Sequence, residues 1–351
     1  MTKQNKVAVI GAGIAGLSCA TALKNAEFQV TIFEKSHGVS GRLSTRMTKH
    51  WKCDHGAQYF TARDPLFYFE VERWLIAKVA QIWQPTLKEF DHNTFSPKEN
   101  EGAHKTIRYV GYPSNNSPAK WLAQTLNVLT ESTINSIHKE ENQWQVSSKE
   151  HGLYADNFDF LILAIPAPQA ALLLNNTKSS LASLCASITM QPCFALMIQF
   201  DKKINCQFDG LFINKGLLSW ATRDSAKPGR SQDELNHGET WVLHATSQWS
   251  KAHVDDEKDT VAQQMLDEFT KILQLDDYLN ASGKFAVVPQ SYDLHRWLYA
   301  DCERYLTDVY KFDAEQKIGL CGDWLNGGKV QGAWLSGLKL ANELINKNKG
   351  L

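Results

Sequence analysis

Apolar positions occur first in a short unbroken run, Lys6 to Val9, and then at helical spacing, Leu17, Ala20 and Leu23, with the stretch Gly11-Ala12-Gly13-Ile14-Ala15-Gly16 between them. This change of period predicts a strand, a glycine turn and a helix. A second apolar strand, Gln29 to Phe33, ends in Glu34, so residues 6 to 34 form one βαβ unit of the length a parallel crossover needs. Helical patterns follow over 65–81, opened by Asp64-Pro65, and over 118–129, opened by Ser117-Pro118. The intervening segment 84–116 is polar and rich in Asn, Gly and Pro, which predicts short strands and surface loops rather than core.

Two runs between Thr133 and Val146 flank Glu140-Glu141-Asn142 as a hairpin, and Phe158 to Ala164 is a continuous apolar strand of the kind buried on both faces. From about 190 to 300 the texture becomes alternating and aromatic. Strands are expected at Cys193–Phe200, Gly210–Ile213, Leu217–Ala221, Thr240–Thr246 and Lys284–Pro289, interrupted by a helix at Lys258–Leu273. The α/β texture then returns with a strand at Lys317–Cys321, the pair Gly322-Asp323, a glycine loop, and a helix carrying Trp334, Leu338, Ala341 and Ile345 on one face. The fold class expected is therefore α/β plus α+β, a Rossmann-type nucleotide domain joined to an antiparallel-sheet domain. The nucleotide domain is discontinuous, at 1–64, 117–185 and 303–351, and the substrate domain takes 65–116 and 186–302.

Composition narrows the function. Lys and Arg total 37 against 38 Asp and Glu, so no basic field draws the chain to nucleic acid or to anionic lipid. No apolar run approaches the ~18 residues of a membrane span. Met1 to Lys6 lead straight into the first strand without the apolar region of a signal peptide, so a cytoplasmic location is expected. Seven scattered cysteines contain no C-x-x-C pair and no zinc-ligand spacing. Reduced, mostly buried thiols are expected, and Cys53 and Cys321 are read as small buried thiols rather than flavin attachment points. Any redox chemistry then comes from a bound cofactor.

The glycine stretch follows a strand, opens a helix, and is followed at Glu34 by an acidic residue, the pattern of a dinucleotide cradle. Gly11 permits the turn, Gly13 the approach of a pyrophosphate and Gly16 the helix packing, with Ala12, Ile14 and Ala15 offering N–H groups at the helix start. Glu34, with Lys35 beside it, meets the adenosine ribose, and its charge repels a 2′-phosphate, which leaves FAD or NAD. Gly41-Arg42, placed to reach the same pyrophosphate, favours FAD. So does Gly322-Asp323, whose carboxylate sits at the end of a parallel strand, where it can accept from a ribityl chain. Gln331-Gly332-Ala333 begin a helix whose positive end suits the charge that reduced flavin gathers. Ala164, at the end of the later strand, completes this side.

The residues then resemble flavoprotein oxidoreductases of the amine oxidase superfamily, and within it the renalase group, over nearly the whole chain. Four stretches carry the likeness: Val7 to Gly16 with Glu34; Gly41 to Arg46 with Asp54 to Arg63; Trp220 to Arg230; and His295 to Ala300 with Cys321 to Gly337. The resemblance implies non-covalent FAD, a substrate domain like that of hydroxybenzoate hydroxylase, and a segment Gly56-Ala57-Gln58-Tyr59 lying against the isoalloxazine. One departure stands out: Tyr112 to Ser117 replaces the Gly-Met-Ser-like turn of such proteins. Renalase-like proteins oxidise the 2- and 6-dihydro isomers of NAD(P)H, pass the electrons to O2 and release hydrogen peroxide. The partners implied are thus O2 and a small molecule, either a dihydronicotinamide dinucleotide or an amine. An amine oxidase, an aromatic-ring monooxygenase and a protein with purely structural FAD are the competing readings.

Candidate substrate-cleft residues are Tyr59, Trp220, Arg223, His244, Arg296 and Trp297, aromatics to stack a ring and cations to meet a phosphate or amide. Trp220 and Trp297 serve equally well as core, and His244 as a structural histidine. His55 is either a flavin contact or a turn residue. Arg223, Lys227 and Arg230 read as a surface loop or as a phosphate-binding lid.

Overall fold

A computed structural model describes residues 4–98, 106–230, 238–275 and 288–349. The first βαβ unit forms as the pattern predicts: Lys6–Ile10, Ile14–Asn25 and Gln29–Phe33, with Ile10 opposite Phe33 in parallel register. Around it grows a six-stranded sheet ordered Lys311–Asp313, Ile318–Leu320, Phe160–Leu163, Lys6–Ile10, Gln29–Phe33, Asn127–Leu129. Only the edge strand Lys311–Asp313 runs antiparallel to its neighbour.

The first strand shows why this sheet is covered on both sides. Val7 and Val9 point into a core shared with helices Ile14–Asn25 and Lys329–Asn348, while Ala8 and Ile10 point into another shared with the hairpin Ile134–Glu140 and Gln143–Ser148 and helix Ala167–Leu174. The first and last helices lie very close: a Cβ at Gly337 would stand 2.0 Å from the Ala15 carbonyl oxygen, and Ser18 Oγ donates to the Trp334 carbonyl at 2.8 Å.

The second large sheet has seven strands, ordered Ser291–Cys302, Met190–Phe200, Glu239–Ala245, Leu218–Arg223, Gly210–Ile213, Leu87–Asp91, Thr94–Pro97. It is antiparallel except where Gly210–Ile213 meets Leu87–Asp91. Helix Lys258–Gln274 buries Val261, Met265, Phe269 and Ile272 on it, the i, i+4 stripe its sequence carries.

Several boundaries differ from the sequence reading. The helix expected over 65–81 stops at Ile76, because Lys78 takes φ 57° and turns the chain into strand Ala80–Trp83, paired with Arg108–Gly111. That over 118–129 is Ser117–Ala123, with Asn116 at the cap position, and Asn127–Leu129 becomes the sixth strand of the parallel sheet. The polar segment 84–116 is not confined to the surface: Phe90 joins the second core and Asn115 is fully buried. Helix Ser247–Ala252 and the long strand Ser291–Cys302 were not anticipated as elements. Of the strand expected at Lys284–Pro289, residues 284–287 lie outside the described residues. No helix among the described residues is long and apolar enough to cross a membrane.

Candidate active site

At the carboxyl end of the parallel sheet, Gly11 adopts φ 103° and donates its N–H to the Phe33 carbonyl at 2.8 Å. Only glycine fits there, since a Cβ would lie 2.6 Å from the Ala164 oxygen; at Gly16 one would lie 2.0 Å from the Gly11 oxygen. Glu34 accepts from Ala12 N at 2.8 Å through one oxygen and from Ser36 N at 2.9 Å through the other. The carboxylate thereby ties the strand end to the glycine turn. The chain then doubles back: Ser40 N donates to the Ala12 carbonyl at 2.9 Å, and Gly41, at φ 54°, rests on Gly13. Gly11, Gly13, Ile14, Ala15, Glu34, Lys35, Gly41 and Ala164 line the resulting cleft; Ala12 and Gly16 lie beneath it.

Further along, Ala57 N donates to the Arg42 carbonyl at 2.9 Å, and a Cβ on Gly56 would come within 2.0 Å of that same oxygen. Segment Gly56–Tyr59 is thus pressed onto the Arg42 backbone. The Arg42 guanidinium pairs with Asp323 and donates to the Ala300 carbonyl at 3.0 Å, so these two residues, each read separately as a cofactor contact, hold one another. Gly322, Gly332 and Ala333 line the cleft where the last helix begins. Gln331 lines it too, and its Oε1 accepts from Arg63 N at 2.6 Å and Asp64 N at 3.0 Å, joining that helix start to the start of helix Pro65–Ile76.

Behind Gly56–Tyr59 is a cluster that sequence reasoning missed. Asp54, fully buried, accepts from Arg230 Nη2 at 2.6 Å and Nε at 3.1 Å, Lys227 Nζ at 3.3 Å, Thr45 Oγ1 at 2.6 Å and Asn115 N at 3.2 Å. Lys227 also donates to Asp224 at 2.7 Å and to Gln58 Oε1 at 2.9 Å, while Gln58 Nε2 donates to the Asp54 and Gly56 carbonyls. Burial alone would raise the Asp54 carboxyl, but the Lys227 and Arg230 charges win and bring it down to about 2. Burial raises that of Asp224. Lys227 and Arg230 are therefore neither a surface loop nor a lid. The departing turn takes part as well: Asn115 Nδ2 donates to the Ala57 carbonyl at 2.7 Å.

Five of the six expected substrate residues, Tyr59, Trp220, His244, Arg296 and Trp297, line the cleft. The sixth does not: Arg223 turns into the second sheet, with Nε 3.1 Å from Glu239 and its guanidinium over Trp241. The Tyr59 and Trp220 ring centroids are 6.1 Å apart, and Trp83 and Phe212 back them. Opposite, His55 stacks on Trp297 at 5.2 Å and 17°, Trp297 Nε1 donates to the His55 carbonyl at 2.9 Å, and His295 meets both rings edge-on. Burial lowers these imidazoles, His55 to about 3 and His244 and His295 to about 4, so all three are neutral at pH 7. His55 Nδ1, His244 Nε2 and Trp220 Nε1 are buried without hydrogen-bond partners among the described residues, and all three belong to residues lining this cleft. The cysteines are free, and burial pushes Cys193 up to about 12.

The cleft holds about 2270 Å3. A glycine cradle that a Cβ would fill, a buried carboxylate at Glu34 tied to the glycine turn and unpaired polar atoms among the lining residues together fit FAD.

Residues 9–70 match the family model for NAD(P)-binding Rossmann-like domains, and residues 98–345, well over half of the chain, match that for flavin containing amine oxidoreductases. An L-amino-acid oxidase of Siganus canaliculatus is 34% identical over 93 residues, which cover 26% of this chain and 16% of that protein. One from Crotalus adamanteus is 45% identical over 107 residues, covering 30% and 17%. The chain thus spans less than a fifth of the length of these relatives. Among solved structures, cyclohexylamine oxidase from Brevibacterium oxydans superposes with a TM-score of 0.72 at 11% identity, over 99% of this chain and 100% of the other. A putrescine oxidase triple mutant gives 0.66 at 11%, over 98% and 99%. At such identities the structures show a shared fold.

Proposed function

This chain belongs to the flavin containing amine oxidoreductases and its cofactor is FAD; from that premise we propose that it is an oxidase of renalase type, taking hydride from 2- and 6-dihydro isomers of NAD(P)H. When bound, the flavin supplies a two-electron hydride acceptor at N5 that O2 restores, with NAD(P)+ and hydrogen peroxide as products.

The observation that carries the reading is the cleft itself. Its roughly 2270 Å3 is more than twice the ~1,000 Å3 at the upper end for single small-molecule sites, which leaves space for a dinucleotide substrate beside a dinucleotide cofactor. In this reading Gly11, Gly13 and the helix start receive the cofactor's diphosphate, and Glu34 receives its ribose. The clamp of Arg42, Asp54, Asn115 and Lys227 fixes the segment Gly56–Tyr59 that orients the ring. Tyr59, Trp220 and Trp297 stack and orient the substrate's pyridine and exclude water. The neutral histidines ask for no proton transfer, which suits hydride loss from a dihydropyridine, a step that needs orientation rather than a general base.

A second reading, oxidation of an amine or amino acid, is favoured by the neighbouring rings of Tyr59 and Trp220, inclined at 55°, and is supported equally by the family. Anaerobic mixing of the FAD-loaded protein with borohydride-generated dihydro-NAD isomers, ordinary NADH, benzylamine and an L-amino acid separates the two. Rapid bleaching of the flavin band by the isomers alone, with peroxide formed on admitting air, is the expected result. Bleaching by the amine or amino acid instead replaces the proposal with the second reading.

A further inference from the structure

Arg108 is a cationic side chain of the aromatic pocket for which the cofactor reading has no use. It enters on strand Arg108–Gly111, which is held beside the flavin segment by reciprocal backbone hydrogen bonds between Phe60 and Tyr109 at 2.8 and 2.9 Å. Its guanidinium lies over the Tyr59 ring, 5.4 Å from the centroid. Trp220 flanks the same ring, and both residues line the cleft.

Two donors there are left over. Among the described residues, Arg108 Nε is buried without a hydrogen-bond partner, and the guanidinium's one bond is a long 3.4 Å contact from Nη1 to the Thr106 carbonyl. Trp220 Nε1, on a residue only 7% exposed, is likewise unpaired. Among the described residues no carboxylate stands within ion-pair distance of Arg108, although neighbouring Lys98 is matched by Glu89. A buried donor without an acceptor is destabilising, and an indole N–H and a guanidinium are donors only. A group that satisfies either is therefore an acceptor, and a charged one satisfies the guanidinium best. The cofactor's diphosphate does not serve, since its cradle at Gly11–Gly16 is built against Gly41, whereas Arg108 and Trp220 pack on Tyr59.

We propose that Arg108 and Trp220 Nε1 form an anion subsite at the rim of the Tyr59–Trp220 pocket, which selects substrates carrying a carboxylate or phosphate beside their oxidisable ring or carbon. The proposal rests on reading the cleft as a site of flavin-dependent oxidation and adds a charge requirement to it.

The test uses ligands that cannot reduce flavin, so it is independent of which donor does. Oxidised holoprotein is titrated with benzoate, phenyl phosphate and the neutral isostere benzamide, following the perturbation of the flavin absorbance band. At least one anion should bind about tenfold or more tightly than benzamide. Arg108→Gln should remove that preference without changing benzamide affinity, and Arg108→Lys should restore part of it. A preference for benzoate assigns the subsite to a substrate carboxylate; a preference for phenyl phosphate assigns it to a nucleotide phosphate. Equal binding of all three by the unmodified protein, no perturbation by any, or unchanged anion affinity in Arg108→Gln overturns the proposal. The comparison within the unmodified protein holds even if a variant fails to fold.

Discussion

Replacing Arg230 by Met should destabilise the protein by about 3–5 kcal/mol, the usual consequence of breaking a fully buried ion pair from one side. Both partners of the pair are inaccessible, and Arg230 presents Nη2 and Nε to one Asp54 oxygen while also donating to Asn115 Oδ1 at 3.1 Å and to the Gly111 and Pro228 carbonyls. Met fills much of the volume but offers no donor, so Asp54 keeps only Lys227 as a cationic partner, at 3.3 Å. Urea unfolding at pH 7 and fixed FAD concentration measures the loss, read as a lower midpoint with an unchanged slope. The coupling is checked by the double variant Asp54→Asn/Arg230→Met, in which charge and counter-charge leave together. It should be more stable than the sum of the two single losses by at least about 1 kcal/mol. A loss below about 1 kcal/mol in Arg230→Met, or strict additivity, would refute the assignment of the cluster as a mutually dependent clamp.

Other outcomes follow from the same geometry. Gly16→Val should abolish FAD retention on gel filtration, since even its Cβ would collide with the Gly11 oxygen at 2.0 Å. Glu34→Ala should weaken FAD binding by about tenfold or more, measured by titrating apoprotein with FAD, because the variant loses the acceptor for the Ala12 and Ser36 amides and, in the proposed reading, the ribose contact. Acid should destabilise in two stages. His55, His244 and His295 are depressed to about 3, 4 and 4, so below about pH 6.5 the unfolded chain takes up protons the folded one refuses, and stability falls with pH. Asp54, depressed to about 2, contributes stability that is full above about pH 4 and is lost as pH falls toward 2. Urea midpoints from pH 7.5 to 3 should therefore decline from the histidine range onward, and a flat profile between 7 and 5 would contradict the neutral-histidine assignment.

The nucleotide side of the molecule was legible because its signals are local. A strand, Gly11-Ala12-Gly13-Ile14-Ala15-Gly16 and Glu34 fall within one crossover, and Gly11 and Gly16 each have a steric reason to be there. The inserted sheet was legible wherever its strands bury an aliphatic face, as at Gly210–Ile213 and Glu239–Ala245. Strand Ser291–Cys302 escaped because it lines the cleft: His295, Arg296 and Trp297 take positions that would carry aliphatic residues in a core strand. The buried charges were misread for a related reason. Lys227 and Arg230 sit in a Gly- and Pro-containing stretch that looks solvated, and their partners Asp54 and Asn115 are more than a hundred residues away in sequence. No periodicity reports a contact of that separation. Arg223 and Arg108 illustrate the same limit, one leaving the cleft for Glu239 and the other entering it unannounced.

The close crossing of the first and last helices also governs biosynthesis. A nascent chain presents its glycine turn and Glu34 well before the strand Ile318–Leu320, Asp323 and the Gly337 face that seats against Ala15 have been made. The N-terminal half must wait, with one flank of its parallel sheet uncovered, for a segment some three hundred residues downstream. Cofactor capture accordingly waits for that downstream segment. Translation products ending short of the last helix should accumulate as colourless, aggregation-prone protein however much FAD the cell supplies.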